Sequence, residues 1–309
     1  MGQERHPYLA ELLFLAIGKV VFLHHYLKSI FMKKSVYLIL FVITLLTSAC
    51  NRTLPSFSTF NMSGSSHFMV KTDDPYRPEE FNPYGVENKY SLVWPTKGMM
   101  TPTAEKELIR QVFGDSTAAS VNEAAQRWLK NLWLYDDEVK AVEAKPVNSV
   151  NHLNSYTYTH LKNSMEENGE LVTFINTTEA FLAGAAHGSY VVEYLTYDRK
   201  KKRVVHLNDL VDTAKLGEVI VRAIEDLTVN KDVYDCLFDE YKNAERIIVP
   251  DNFFIDSTRS TITVVFQQYD ITPYACGLQS VVLPVFWLSK HQELTPYAKS
   301  IFGKGSYLE

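Results

Sequence analysis

Four groups of residues have types and spacing that could do chemistry. Cys50 ends an apolar run, Val36 to Leu46, behind a positive pair, Lys33-Lys34, and the small residues Thr47-Ser48-Ala49. A thiol in that setting can be acylated and become a membrane anchor; the bland reading is an incidental cysteine behind an uncleaved anchor or a plain signal peptide. His187 lies in Ala183-Gly-Ala-Ala-His-Gly188. An imidazole on a Gly-rich turn can bind a ligand or carry a proton, or it can simply pack where glycines permit a tight bend. Tyr269, Pro273, Tyr274 and Gly277 fall together near a strand exit. They read either as an aromatic recognition edge or as a corner whose Pro and Gly fix the backbone. Cys236 and Cys276 either pair or are two small buried side chains.

Other chemistries lack their residues. There is no G-x-S-x-G, H-E-x-x-H, P-loop or C-x-x-C. His152 and His160 have no partners at zinc spacing, and Asp136-Asp137-Glu138 lacks the calcium-loop pattern, so no metal or cofactor is expected. Arg199 to Arg203 is a run of five basic residues, read as a solvated hairpin tip rather than a lipid-headgroup contact. The net charge is −5, and beyond residue 50 the balance is 26 basic against 34 acidic residues. That surface gives no support to nucleic-acid binding. A hydrolase would have to use His187 with a carboxylate such as Asp198 or Glu193, so catalytic residues are assigned to none and the enzyme reading is the alternative.

The elements that must position these residues follow from pattern. Residues 32–49 have the three regions of a signal peptide, and their apolar core is too short for a membrane helix, which needs ~20 residues. Small residues followed by Cys50 resemble a lipobox, with Thr47 where Leu is commonest. A second apolar stretch, Tyr8 to Tyr26, precedes it, so translation is expected to start at Met32, with 1–31 a mis-assigned start. Asn51 after the cysteine points to outer-membrane sorting and a periplasm-facing domain. Residues 50–89, rich in Ser, Thr and Asn, read as a flexible tether. An α+β domain is expected over 90–309, with helices and first strands over 90–200 and a second half over 203–290.

Within it, Thr101-Pro102 predicts an N-cap and first helical residue, ended by Gly114, and Ser120 to Glu123 has capping-box spacing. Strands are expected at 90–94, 156–159, 170–174, 190–197, 203–206 and 262–266, and an apolar one from Val281 to Leu288 with Pro284 at a bulge or edge. Helices are expected over 213–227 and 233–244. Strands and helices come in blocks, which argues for an antiparallel β-sheet with several packed helices.

Two passages carry a family resemblance. Ala183-Gly-Ala-Ala-His-Gly188, followed by a strand, a Lys-rich hairpin and His206-Leu-Asn-Asp-Leu-Val211, is similar to a G-A-H-G motif. Pro250-Asp-Asn-Phe-Phe254, leading through Val264-Val-Phe266 to Tyr269-Asp-Ile-Thr-Pro-Tyr-Ala-Cys-Gly277, is similar to an F-x-Y-x-I-x-P-Y-A-x-G motif. Both resemble the extracytoplasmic domain shared by RsiV-type anti-sigma factors and the N-terminal part of PdaC-type peptidoglycan deacetylases. The departures are an extra alanine before His187, Gln268 ahead of Tyr269, and Cys276 where a small residue is usual. The resemblance covers roughly residues 90–290 and implies an α+β fold. In the anti-sigma relative it implies a domain that binds lysozyme; the deacetylase catalytic motifs are missing here. The expectation is a lipid-anchored, non-catalytic recognition module for a lysozyme-like protein or peptidoglycan.

Overall fold

The structure is a computed structural model that describes residues 56–75, 84–134, 138–150, 155–291 and 294–303. The tether expected over 50–89 is corrected by two strands, β1 (Thr59–Asp73) and β2 (Tyr84–Pro95), which pair antiparallel from Thr59↔Pro95 to Val70↔Tyr84. The inner face of β1 carries Met62, Phe68 and Val70, but its apolar alternation is broken mid-strand by the small residues Gly64 and Ser66. The Tyr90 ring lies on Gly64, where a Cβ would come within 2.7 Å of it, and the Ser66 hydroxyl donates to the Leu129 carbonyl. The outer face, with Ser63 and Ser65, is solvent-exposed.

Two helices follow as their caps dictate. α1 (Pro102–Phe113) starts at Thr101, whose Oγ1 accepts from the Ala104 amide, and ends at Gly114 with φ 69°. α2 (Val121–Leu129) starts at Ser120, whose Oγ accepts from the Glu123 amide. β3 (Lys140–Pro146) returns along the far edge of β1. Then come β4 (Tyr156–Asn168), β5 (Leu171–Phe181), β6 (Ser189–Asp198) and the short β7 (Arg203–Val205). The seven strands lie in the order β3-β1-β2-β4-β5-β6-β7. All pairs are antiparallel except β2 and β4, which run parallel because α1, α2 and β3 intervene between them.

The second half begins with α3 (Leu207–Leu210), α4 (Leu216–Asp226) and α5 (Lys231–Cys236). A three-stranded antiparallel sheet, β10-β9-β8, is made of β8 (Phe253–Asp256), β9 (Thr261–Phe266) and β10 (Gln279–Pro284). α6 (Val285–His291) and α7 (Pro296–Phe302) close the domain. Two expectations change here. The strand expected over 281–288 stops at Pro284, and Val285 starts a helix whose first amide donates to the Ser260 carbonyl. The helix expected over 233–244 ends at Cys236, because the Phe238 amide turns away to the Ile271 carbonyl.

The large sheet separates two apolar cores. Because strand side chains alternate, Leu161, Phe174, Leu195 and Tyr197 join α1 and α2 on one face. Leu171 and Val205 join α4 and the small sheet on the other. Trp94, Phe174 and Leu108 are fully buried, each worth roughly 1.5–3 kcal/mol. The second core covers only the β5–β7 end of its face, so the same face of β1, β2 and β4 stays open to solvent.

Side-chain amides join the two sheets. The free edge of β6 would leave backbone groups unpaired. Asn252 Oδ1 accepts from the Tyr194 amide (2.9 Å) and Nδ2 donates to the Val192 carbonyl (2.9 Å) and to the Val265 carbonyl on β9 (3.1 Å). Gln267 brackets Val192, accepting from its amide (3.2 Å) and donating to its carbonyl (2.6 Å). These amides substitute for a neighbouring strand and set where the β9–β10 loop meets the β5–β6 loop.

Candidate functional site

Those two loops bring His187, Tyr269 and Tyr274 together. The His187 ring stacks on Tyr274 at 3.8 Å between centroids and 22° between planes. Its Nδ1 lies 3.0 Å from the Gly188 carbonyl, and its Nε2 3.3 Å from the Tyr269 hydroxyl. A carbonyl only accepts, so Nδ1 carries the proton and Nε2 accepts from Tyr269. The Tyr274 hydroxyl donates to the same Gly188 carbonyl at 2.9 Å. Tyr269 is 58% exposed, and His187 is exposed beside it.

The loop is held from below. Ile271 and Thr272 are buried, Asp270 accepts from the Gln267 amide at 2.7 Å, and Gln279 Nε2 donates to the Cys276 carbonyl at 2.7 Å. Cys276 is bonded to Cys236 at the end of α5, so the cysteines pair. Pro273 and Gly277 act through the backbone. Pro273, with φ −60°, leads into the turn Tyr274–Cys276, and Gly277 leaves it at φ 70°, ψ −155°, a region open to glycine alone.

Tyr269 itself sits at φ 70°. A left-handed non-glycine residue costs roughly 1–2 kcal/mol. Tyr269→Gly is therefore expected to exceed Tyr269→Ala in stability by about 0.5–1 kcal/mol, because glycine relieves the strain but has more unfolded-state freedom to lose. Urea unfolding of the pair checks this, and equal midpoints would show that the backbone is not strained.

Neither carboxylate named for a hydrolase reaches His187. Asp198 accepts from the Tyr297 hydroxyl (2.7 Å) and the Lys201 amide (2.7 Å) at the far end of β6. Glu193 lies four strand residues beyond Ser189, ~13 Å along β6, and burial pushes its carboxyl up. Among the described residues no group of His, Cys, Asp and Glu is placed to hold a metal. The basic run is engaged in ion pairs: Arg199 with Glu167, Lys200 with Glu170, and Arg203 with Asp209. Cys50, His152, Asp136 and Asp137 lie outside the described residues. Among the described residues no helix is long and apolar enough to cross a membrane.

Two further clusters escape a pattern reading. His206 bridges the halves, its Nδ1 2.8 Å from Asp251 and its Nε2 3.4 Å from Glu107 on α1. It borders a cleft of about 950 Å³ with Tyr241, Arg246 and Ile248. On the open face of the large sheet, Glu87 lies between two imidazoles, 2.6 Å from His160 and 3.5 Å from His67. The only signal for the second cluster is the alternation Tyr156-Thr-Tyr-Thr-His160, which puts three rings on one face.

Comparison with known proteins places the second half. Residues 208–285 match a family described as "Protein of unknown function (DUF3298)". The matched DUF3298 region runs from α3 to the first residue of α6 and contains the disulfide and the Tyr269–Gly277 loop. No curated protein matches the chain. A solved DUF3298 protein from Bacteroides fragilis NCTC 9343 is 15% identical, with a TM-score of 0.50 over 82% of this chain and 97% of that one, which shows a shared fold. A DUF3298 family protein from Pseudomonas aeruginosa PAO1 is 16% identical, with a TM-score of 0.47 over 79% of this chain and 96% of that one.

Proposed function

We propose that the chain is a lipid-anchored bacterial envelope protein, held at the outer membrane through Cys50 and facing the periplasm. Its α+β domain is a non-catalytic recognition module of the RsiV/PdaC type for a lysozyme-like protein or a cell-wall glycan. The observation that carries the reading is the His187–Tyr269–Tyr274 surface. It is exposed and aromatic, rigidly tied to a disulfide-bonded loop, and its imidazole is partnered by a tyrosine and a carbonyl rather than an acid. Amphipathic rings held in a fixed geometry contribute contact area at low entropic cost, as recognition surfaces require. The Cys236–Cys276 disulfide suits an oxidising compartment outside the cytoplasm.

Retention of the full chain in detergent on lysozyme-coupled and peptidoglycan resins tests the module. Retention on one resin, weakened roughly tenfold or more by Tyr269→Ala or Tyr274→Ala, is the expected result. No retention on either resin, or retention that both variants leave unchanged, removes the reading. Mass spectrometry of the mature N-terminus tests the anchor: a diacylglyceryl group on Cys50 is expected, and an unmodified cysteine overturns it.

A further inference from the structure

The open face of the large sheet carries a second aromatic surface, built from residues other than His187, Tyr269 and Tyr274. Along β4 and the paired end of β5, rings follow one another. Tyr156 lies 5.9 Å from Tyr158, and Tyr158 lies 6.0 Å from Phe181 and 4.9 Å from His160. Their planes are within 35° of parallel. Tyr156 ends the row and is 43% exposed. Across β5, Tyr190 on β6 pairs with Glu179 and is 42% exposed. Farther along the same face the small sheet rises as a wall. There Tyr194 and Phe254, 5.0 Å apart, line a cleft of about 370 Å³ together with Ile175, Glu166 and Asp256. From Tyr156 to Glu166 is ten residues of strand, ~33 Å at ~3.3 Å per residue.

Polar groups alternate with the rings. Glu179, at 3.3 Å from the Tyr158 hydroxyl, Glu87 between its two imidazoles, and Lys162 stand on the same face. Burial raises the Tyr194 hydroxyl, which keeps it a protonated donor at the cleft.

We propose that this face is a binding track for an extended chain of pyranose sugars, neutral or amine-bearing, with one end seated in the Tyr194–Phe254 cleft. Pyranose rings present polarised C–H groups on their faces and hydroxyls at their edges. The first match the electron-rich faces of Tyr and Phe, and the second match carboxylates, imidazoles and lysine. The exposed large apolar side chains here are the amphipathic Tyr156 and Tyr190, not an aliphatic patch of the kind that seats an apolar helix. Glu87, Glu166 and Glu179 are interspersed with Lys89 and Lys162, and Asp256 lines the cleft, so the track has no continuous positive strip of the kind a polyanion such as nucleic acid requires. A cleft of this volume is within the range of small-ligand sites, ~300–1,000 Å³. The track adds a surface to the recognition reading above and is built from different residues, so each is tested separately.

Isothermal titration of the full chain in detergent with chitohexaose, cellohexaose and polygalacturonate is the experiment. Saturable binding of at least one neutral hexasaccharide and none of the polyanion is expected. Tyr156→Ala, at an exposed position, should weaken it roughly three- to tenfold. Glu179→Lys should also weaken it while leaving the melting temperature unchanged. Val229→Ser, at an exposed position on the turn Thr228–Asn230 outside both surfaces, should leave it intact. Absence of saturable binding of both hexasaccharides, equal binding of polygalacturonate, or wild-type affinity in both Tyr156→Ala and Glu179→Lys overturns the proposal.

Discussion

Asn230→Leu is expected to cost on the order of 3–5 kcal/mol, a large share of the 5–15 kcal/mol that holds a typical domain folded. Asn230 is fully buried at the foot of α5, and its amide makes three bonds to backbone. Nδ2 donates to the Ala223 carbonyl at 2.8 Å and to the Val282 carbonyl at 3.1 Å, and Oδ1 accepts from the Val282 amide at 2.9 Å. It completes the outer edge of β10 as Asn252 and Gln267 complete that of β6. Leucine preserves volume but leaves the Val282 amide and carbonyl without partners, while the Ala223 carbonyl keeps only the Leu227 amide, and the penalty is the lost hydration of the Val282 groups. Each such group costs roughly 1–3 kcal/mol when water cannot reach it. Urea unfolding should show a lower midpoint with little change in slope. A change under 1 kcal/mol would mean that the β10 edge is open to water.

The second large effect is at the disulfide. Cys236 and Cys276 are 40 residues apart, and closing a loop of that length in the unfolded chain removes about 4 kcal/mol of conformational freedom, with observed gains of roughly 2–4 kcal/mol. The paired variant Cys236→Ser with Cys276→Ser should therefore unfold at markedly lower urea. Its slope should steepen, because the uncrosslinked chain exposes more surface. The loss also reaches the recognition surface. Cys276 closes the short turn that begins at Tyr274, and without its bond that turn loses its covalent tie to α5 and is located by the Gln279–Cys276 hydrogen bond and by Tyr274's contacts with Gly188, His187 and Tyr269. Retention on the ligand resin should fall along with stability. An unchanged midpoint under reducing conditions would show that the 236–276 loop is already fixed by its packing.

The parts of the fold legible in the sequence are those written in local chemistry. Thr101-Pro102 and Gly114 bound α1 because a cap and a left-handed exit depend on neighbouring residues alone. The apolar stripe of α4 and the alternation of β9 follow from periodicity, and blocks of strands and helices give the α+β class. β1 was not legible. Its inward series Met62, Phe68 and Val70 is interrupted by Gly64 and Ser66, small because Tyr90 and Leu129 press on them from elements tens of residues away. The early end of α5 comes from the same kind of cause: Ile271, far along the chain, takes the next turn's amide.

The candidate site divides the same way. The sequence by itself determined the residue types: an imidazole on a glycine-rich turn, a Tyr-Pro-Tyr-Gly loop and two cysteines free to pair. Their meeting was decided only by tertiary structure. His187 and Tyr269 are 82 residues apart and touch because Asn252 and Gln267 dock the small sheet on the edge of β6. The choice between open and covered sheet faces was likewise tertiary. Alternation states that Tyr156, Tyr158 and His160 share a face, but not whether a second layer covers it. That depends on how far the second core extends, and it stops at the β5–β7 end.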